Sequence, residues 1–265
     1  MIAWLQQLSP FSLAIVCSGS FVLFTWFGII FLRPFLRLLL RRQPGANDLV
    51  SFTSSWFSLL YGLLLGLLSV ATYQNAAEIQ NFVQREAASL ALLYRGSAAY
   101  PEPLRSEFQY LLRDYTLYVI NKDWPAHQKG RIPQGGAARM GALVQTLEAF
   151  EPTTKQQEIL LEQTLSNLDA LSEARIERLS GVSLTIPGVF WYVVLIGAFI
   201  NIVLIWMLDM RFFTHLILGG MISFFLGVMI FLLIAMDQPL RGAVAIPSAA
   251  YELAYRVLME PDEGT

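Results

Sequence analysis

The stretch FTSSWFSLLYGLLLGLLSVATY (residues 52–73) decides the fold, because none of its residues is Asp, Glu, Lys or Arg. An α-helix of this length extends roughly 30 Å, which is the thickness of the hydrocarbon core of a bilayer. Three further stretches share this length and this lack of charge: Phe11–Leu32, Gly188–Leu208 and Phe212–Met236. Because a charged side chain costs several kcal/mol at the centre of a bilayer, the sequence predicts an integral membrane protein with four transmembrane helices.

The composition agrees with a membrane protein, since 55% of the 265 residues are hydrophobic and 14% are charged. The formal net charge of −2 provides no basic surplus for binding nucleic acid. Cys17 is the one cysteine and lies in the first apolar stretch, so a chain cannot form an internal disulfide. The expected partner is therefore the lipid bilayer and not nucleic acid.

Two apolar stretches precede a long charged segment and two follow it, which divides the chain into residues 1–73, 74–186, 187–242 and a C-terminal tail, 243–265. No proline occurs between Ser54 and Ala99, so the second transmembrane helix is predicted to continue beyond the membrane as a stalk. Apolar periodicity predicts further helices over about 104–121, 137–150 and from Thr153 or Thr154 to 179, with a loop over 123–136. The predicted fold is an all-α membrane protein with an extramembrane helical layer inserted between transmembrane helices two and three.

Arginines in the short loops predict the orientation. Arg33, Arg37, Arg41 and Arg42 lie between the first and second transmembrane helices, and Arg211 lies between the third and fourth. Such arginines are retained on the cytoplasmic side. Segment 74–186 and both termini are therefore expected on the opposite face, which is periplasmic in a bacterial inner membrane or lumenal in a thylakoid membrane.

Two sets of small residues follow the spacing at which helices approach each other closely. Gly62 and Gly66 form a G-x-x-x-G pair in the second transmembrane helix, and Gly219, Ser223 and Gly227 recur every four residues in the fourth. Each set is a candidate helix interface, either within one chain or between subunits. A slim face of this kind also suits a helix that lines a pore.

Polar residues inside the predicted membrane region are candidates for a pore lining. Ser54, Ser55, Ser58 and Tyr61 lie roughly on one face of the second helix, and Asn201 in the third carries an amide that needs a partner or water. Serines in helices commonly bond back to their own backbone, so a purely structural role stays open. Four helices of one chain leave no room for a water-filled path, so a pore would require several copies around an axis.

A charged motif follows the fourth transmembrane helix. Asp237 and Arg241 flank Pro239, and Gly242 follows directly. The two charges are expected to pair with each other or with the stalks. The alternative is a simple helix end with an interfacial ion pair.

Several motifs occur in a fixed order beyond residue 50: Glu86-Ala87-x-x-Leu90, Leu93-Tyr94-Arg95, Arg105, Tyr115, Asp123-Trp124-Pro125, Ala174-Arg175-x-x-Arg178, Ile186-Pro187-x-x-x-Trp191 and Asp237-x-Pro239-x-x-Gly242. In the joint order of these motifs the chain resembles the bacterial bestrophin-like family, a domain of unknown function. At the position of Asp123 the family usually has glutamate.

This resemblance implies distant kinship to the bestrophins, which are homopentameric, anion-selective channels. Each bestrophin subunit has four transmembrane helices with a helical layer between the second and third. Two features of this chain depart from that plan. Bestrophins keep the layer in the cytosol, whereas the arginines here place it outside, and this chain has no acidic calcium-binding loop.

The resemblance favours a homo-oligomeric ion channel with permeant ions as ligands, and the serine-rich face predicts that the second transmembrane helix lines the pore. A non-conducting scaffold or accessory subunit, whose extramembrane helices dock a partner, is the alternative. An enzyme is not expected: His127 and His215 lie far apart in sequence, Cys17 lies in a transmembrane stretch, and Glu158 and Glu162 occupy a solvated helix. We expect no cofactor and no metal site.

Overall fold

The computed structural model describes residues 9–40, 45–241 and 244–259, and within these ranges it contains helices and no strands. Ten α-helices follow in order: α1 (Pro10–Phe31), α2 (Arg33–Leu40), α3 (Ala46–Gly96), α4 (Leu104–Tyr118), α5 (Trp124–His127), α6 (Gly135–Glu148), α7 (Lys155–Ser183), α8 (Gly188–Met207), α9 (Phe212–Met236) and α10 (Ala249–Ala254). Helices α1, α3, α8 and α9 are long and apolar enough to cross a membrane. Within the described residues these are the four helices that meet this criterion, in agreement with the four apolar stretches of the sequence.

The first of two compact units contains α1, α2, α3 as far as Gln74, α8 and α9. Helix α1 packs along α9, and large apolar side chains from α1, α3, α8 and α9 form a common cluster. Its buried members include Ile29, Leu65, Ala198, Ile202, Trp206, Leu226 and Ile230. Trp206 lies within this cluster, and its indole Nε1 donates to the Thr25 carbonyl at 3.0 Å.

The second unit contains the rest of α3, helices α4 to α7, residues 238–241 and the described residues from Ala245 onward. Helix α3 runs without a break over 51 residues, as the absence of proline predicts. Helix α7 begins at a cap in which the Thr154 side chain accepts from the Gln157 N–H. The core of the unit is apolar, and its fully buried members include Leu90, Phe108, Leu112, Leu143, Leu147 and Leu171.

Two segments differ from the sequence-based expectation. The composition of residues 123–136 predicts a loop, and residues 128–134 do lie outside the helices, but a π-helical turn over Val119–Asp123 leads directly into α5. Pro125 lies in the first turn of α5, where a missing N–H does not disturb a helix. The described part of the segment expected as a tail also folds: α10 and a π-helical turn over Tyr255–Met259 join the second unit, with Tyr251 fully buried.

Candidate functional site

Small residues follow one face of α3 at spacings of three or four residues. Members of this stripe are Ser51, Ser55, Ser58, Gly62, Gly66 and Ser69. The first four are exposed and the last two are half-buried. No described atom outside α3 lies within 4 Å of the point where a Cβ of Gly62 or Gly66 would be. The stripe, hereafter the α3 stripe, therefore has no close neighbour within the described chain at these glycines.

Hydroxyl groups of the α3 stripe form hydrogen bonds of two kinds. Ser55 donates to the Ser51 carbonyl at 2.9 Å, which is the common bond of a serine to its own helix. Ser58 instead donates to Oδ1 of Asn201 on α8 at 3.1 Å. The structure thus brings together two candidate residues that are far apart in sequence.

Tyr61 and Asn201, two of the predicted pore-lining residues, are each only 6% exposed. Tyr61 donates its hydroxyl proton to the Val194 carbonyl at 2.7 Å, and its ring covers Gly197 on α8. Ser54 is half-buried and lies seven residues before Tyr61, on the same side of α3. Within this chain, Tyr61 and Asn201 hold α3 against α8, and the exposed hydroxyl candidates are Ser55 and Ser58.

The small residues of α9 have a different environment from those of α3. At Gly227 a Cβ would lie 2.5 Å from the Cα of Ser18, and at Gly219 it would lie 3.0 Å from Ile29. Between them, the Ser223 hydroxyl is 2.5 Å from the hydroxyl of Thr25. This set therefore lies in the contact between α1 and α9 of one chain.

The two charged side chains of the motif after α9 form separate hydrogen bonds with two different backbone groups. Asp237 Oδ1 accepts from the backbone N–H of Ile186 at 2.6 Å, and Arg241 Nη2 donates to the Val182 carbonyl at 2.8 Å. Pro239 is buried, and its carbonyl accepts from the N–H of Ile246 at 2.9 Å. Gly242 lies outside the described residues, as do Arg41 and Arg42. Each charged side chain thus bonds to the backbone of a preceding segment.

A buried ionic cluster lies in the second unit. Arg178 on α7 and Glu86 on α3 are both fully buried, and two bonds join them, at 2.6 Å from Nε and 3.2 Å from Nη2. Tyr115 on α4 donates to the same carboxylate at 2.6 Å, and His127 on α5 contacts Nη1 of Arg178 at 3.0 Å. The cluster therefore connects four helices of the unit, α3, α4, α5 and α7.

Two further groups of the cluster are perturbed by burial. Burial lowers the pKa of His127 to about 3, and the nearby Arg178 and Arg175 act in the same direction. A neutral His127 is therefore present at physiological pH and accepts through Nδ1. Burial also raises the pKa of Asp123, against the opposing effect of the same two arginines. The closest cation to that carboxylate is Arg178, with Nη2 at 3.8 Å.

Sequence reasoning did not identify this cluster as a site. Glu86, Tyr115, Asp123, Arg175 and Arg178 all belong to the motifs that carry the family resemblance, and that was the available signal. Within residues 9–40, 45–241 and 244–259, no three His, Cys, Asp or Glu side chains are grouped so that they could hold a metal ion. The cluster has the geometry of a structural ion-pair network.

Known proteins resemble the chain in sequence pattern and in fold. The sequence pattern of the bestrophin-like domain matches residues 19–251. Crystal structures of a bacterial bestrophin homologue from Klebsiella pneumoniae match the fold. One, solved with zinc phasing, has 14% sequence identity and a TM-score of 0.71, and covers 92% of this chain and 97% of that chain.

Point variants of the same homologue give equivalent matches. One has 13% identity and a TM-score of 0.72, and covers 93% of this chain and 97% of that chain. Another has 14% identity and a TM-score of 0.72, and covers 93% and 99% of the two chains. No functionally curated protein matches the chain in sequence. With the domain pattern extending over most of its length, the chain belongs to the bestrophin-like family.

Proposed function

We propose that this protein is the subunit of a homo-oligomeric ion channel whose pore is lined by α3. The observation that carries the proposal is the α3 stripe, where Ser55 and Ser58 are exposed and Gly62 and Gly66 have no close neighbour in the described chain. In α9 the small residues are enclosed by α1 of the same chain, so their small size is explained by packing within one chain. The glycines of α3 have no such neighbour, and a second subunit or a lumen would account for them.

Burial of the four membrane helices supports an arrangement around α3. In the most apolar stretch of α3, 22% of the residues are buried, against 33% in α1, 33% in α8 and 39% in α9. A ring of subunits with α3 innermost would cover part of this exposed surface and would direct the serines toward water. The homopentameric bestrophins, which the chain resembles, suggest five subunits.

Asymmetric KCl across a planar bilayer tests conduction by the purified, oligomeric protein. We expect single-channel steps, and we expect Ser58→Leu to reduce their size severalfold, because the larger apolar side chain narrows the lumen and removes a hydroxyl. Thr53→Leu is the control, because this exposed residue lies on the opposite side of α3 and should leave the steps unchanged.

The same recordings separate the competing interpretations. The resemblance favours an anion, so the reversal potential should lie toward the chloride equilibrium potential. A reversal potential near the potassium equilibrium potential would contradict anion selectivity but would still support an ion channel. Silent bilayers with folded, oligomeric protein at several voltages would contradict the channel itself and favour the non-conducting scaffold.

We further propose that residues 74–186 face the periplasm or the thylakoid lumen, because Arg33, Arg37, Arg41, Arg42 and Arg211 lie in the short connections between the membrane helices. A cysteine at Gln163, exposed on α7, should react with impermeant maleimide in intact cells, in a Cys17→Ala background.

Asp48→Cys is the matched control for orientation, because this exposed residue begins α3 beside the arginine-rich loop. It should be labelled only after the cells are permeabilised. The reverse pattern, with Asp48→Cys labelled in intact cells and Gln163→Cys protected, would place the helical segment in the cytosol as in bestrophins.

A further inference from the structure

We infer that neighbouring subunits of the oligomer are joined by a basic turn of one copy that inserts into an acidic groove of the next. The turn consists of residues 128–132 and the groove lies between α3 and α7, so both belong to the second unit. This inference rests on the homo-oligomer of the proposed function and names the surfaces that would hold it together.

The groove is an open cavity of about 370 Å³ with an apolar floor and an acidic edge. Phe82, Ala88 and Leu92 of α3 line one side, and Leu92 is 57% exposed. Glu173 and Glu177 of α7 line the other side, one turn apart. Among the described residues neither carboxylate has an ion-pair partner, although Arg85 of α3 also lines the groove.

The basic turn is held in place by backbone hydrogen bonds. The N–H groups of Lys129 and Arg131 both donate to the Ala126 carbonyl at 2.9 Å, and the N–H of Gly130 donates to the His127 carbonyl at 2.8 Å. Gly130 adopts a φ of +70°, which a glycine tolerates at a tight turn. The turn is therefore fixed to α5, one of the helices bound to the buried ionic cluster.

This turn presents an apolar side chain beside two cations. Ile132 is 49% exposed, and the side chains of Lys129 and Arg131 are exposed. Neither cation forms an ion pair within the described part of the chain. An exposed isoleucine next to unpaired basic residues complements an apolar groove with two unpaired acidic residues.

Ring geometry explains why both surfaces occur on one chain. Subunits related by a rotation that closes a ring meet through two different patches, so each chain must carry both halves of the contact. In such a ring Ile132 enters the groove toward Leu92, and Lys129 and Arg131 approach Glu173 and Glu177. The occupant of the groove is thus a second copy of this chain.

Charge reversal tests the contact by size-exclusion chromatography with light scattering in detergent. Glu173→Lys with Glu177→Lys, or Lys129→Glu with Arg131→Glu, should each weaken assembly by roughly tenfold, because like charges then face each other. Combining all four substitutions in one chain should restore the oligomer. An oligomer that is unchanged by either pair, or not restored by the combination, would overturn the inference.

Disulfide cross-linking gives a second readout that does not depend on charge. Two tagged chains lacking Cys17 are co-expressed, one with Ile132→Cys and the other with Leu92→Cys, and mild oxidation should join them. Replacing Leu92→Cys by Tyr110→Cys, which is at least as exposed and lies on α4, should abolish the cross-link. An intact oligomer that does not form the cross-link between Ile132→Cys and Leu92→Cys would contradict the contact. A cross-linked oligomer that does not conduct would contradict the proposed channel and would still support the contact.

Discussion

Arg178→Met is expected to lower the free energy of unfolding by about 3–5 kcal/mol, because it leaves the carboxylate of Glu86 buried without its cation. Both side chains are 0% exposed in the folded chain. Methionine fills a similar volume but cannot donate a hydrogen bond, so Glu86 would lose both bonds to Arg178 and keep the bond from the Tyr115 hydroxyl. His127 would lose the donor to its Nδ1 as well.

Thermal unfolding of the purified protein in detergent measures this effect, with tryptophan fluorescence as the signal. Trp124 is a suitable reporter, because the Arg178 guanidinium lies 5.7 Å from the centre of its ring. A loss of this size corresponds to a fall in melting temperature of about 10 °C for a chain of this length. The wild type and the variant should be compared at one detergent concentration, since the oligomer also contributes to apparent stability.

Arg139→Met is the matched control. Arg139 forms an ion pair of similar length with Asp114, at 2.7 Å, but the two side chains are 31% and 37% exposed. Water solvates both charges when such a pair is broken, so the expected loss is at most about 1 kcal/mol. Adding Glu86→Leu to Arg178→Met should recover part of the stability. Equal effects of Arg178→Met and Arg139→Met would show that the buried ion pair contributes no more to the free energy of unfolding than the exposed one.

The four transmembrane helices could be predicted from the sequence because the bilayer imposes length and polarity on each of them separately. The unbroken α3 could be predicted for a similarly local reason, since the absence of proline is visible without any knowledge of neighbours. The start of α7 also depends on a short local pattern, in which Thr154 caps the helix three residues before Gln157.

The ionic cluster depends on contacts between distant parts of the chain. Glu86 and Arg178 are separated by 92 residues, and each lies on a helix that also carries exposed charges. Helical periodicity alone therefore does not distinguish a buried charge from a solvated one. The same limit applies to Trp206: its position near a helix end is typical of a membrane interface, yet its indole is buried against Gly28 of α1.

The pore candidates could be predicted from the sequence in part. Spacing alone places Ser54, Ser55, Ser58 and Tyr61 on roughly one face of α3, but a helix face is wide and α8 covers part of it. Tyr61 lies on the covered part and Ser58 at its edge, where it can reach Asn201. The neighbouring helix, which the sequence of α3 does not specify, decides which hydroxyls remain exposed.

Gly227→Val is expected to destabilise the first unit by about 3 kcal/mol or more, because it prevents α1 from packing against α9. The added Cβ would lie 2.5 Å from the Cα of Ser18 and 3.1 Å from the carbonyl oxygen of Cys17. These are backbone atoms, so no change of rotamer relieves the overlap. Thermal unfolding in detergent measures the loss, and reaction of the buried Cys17 with a thiol reagent reports directly on separation of the two helices.

Gly66→Val provides the decisive comparison, because the two glycines occupy similar small-residue motifs but different environments. No described atom outside α3 lies within 4 Å of a Cβ at position 66, so the fold of a single chain should tolerate the valine. If the α3 stripe faces other subunits or a lumen, Gly66→Val should alter the size of the oligomer or its conductance while Cys17 stays protected. A Gly66→Val variant that exposes Cys17 as readily as Gly227→Val would mean that both glycines serve packing within one chain, and the α3 stripe would then lose its role in assembly.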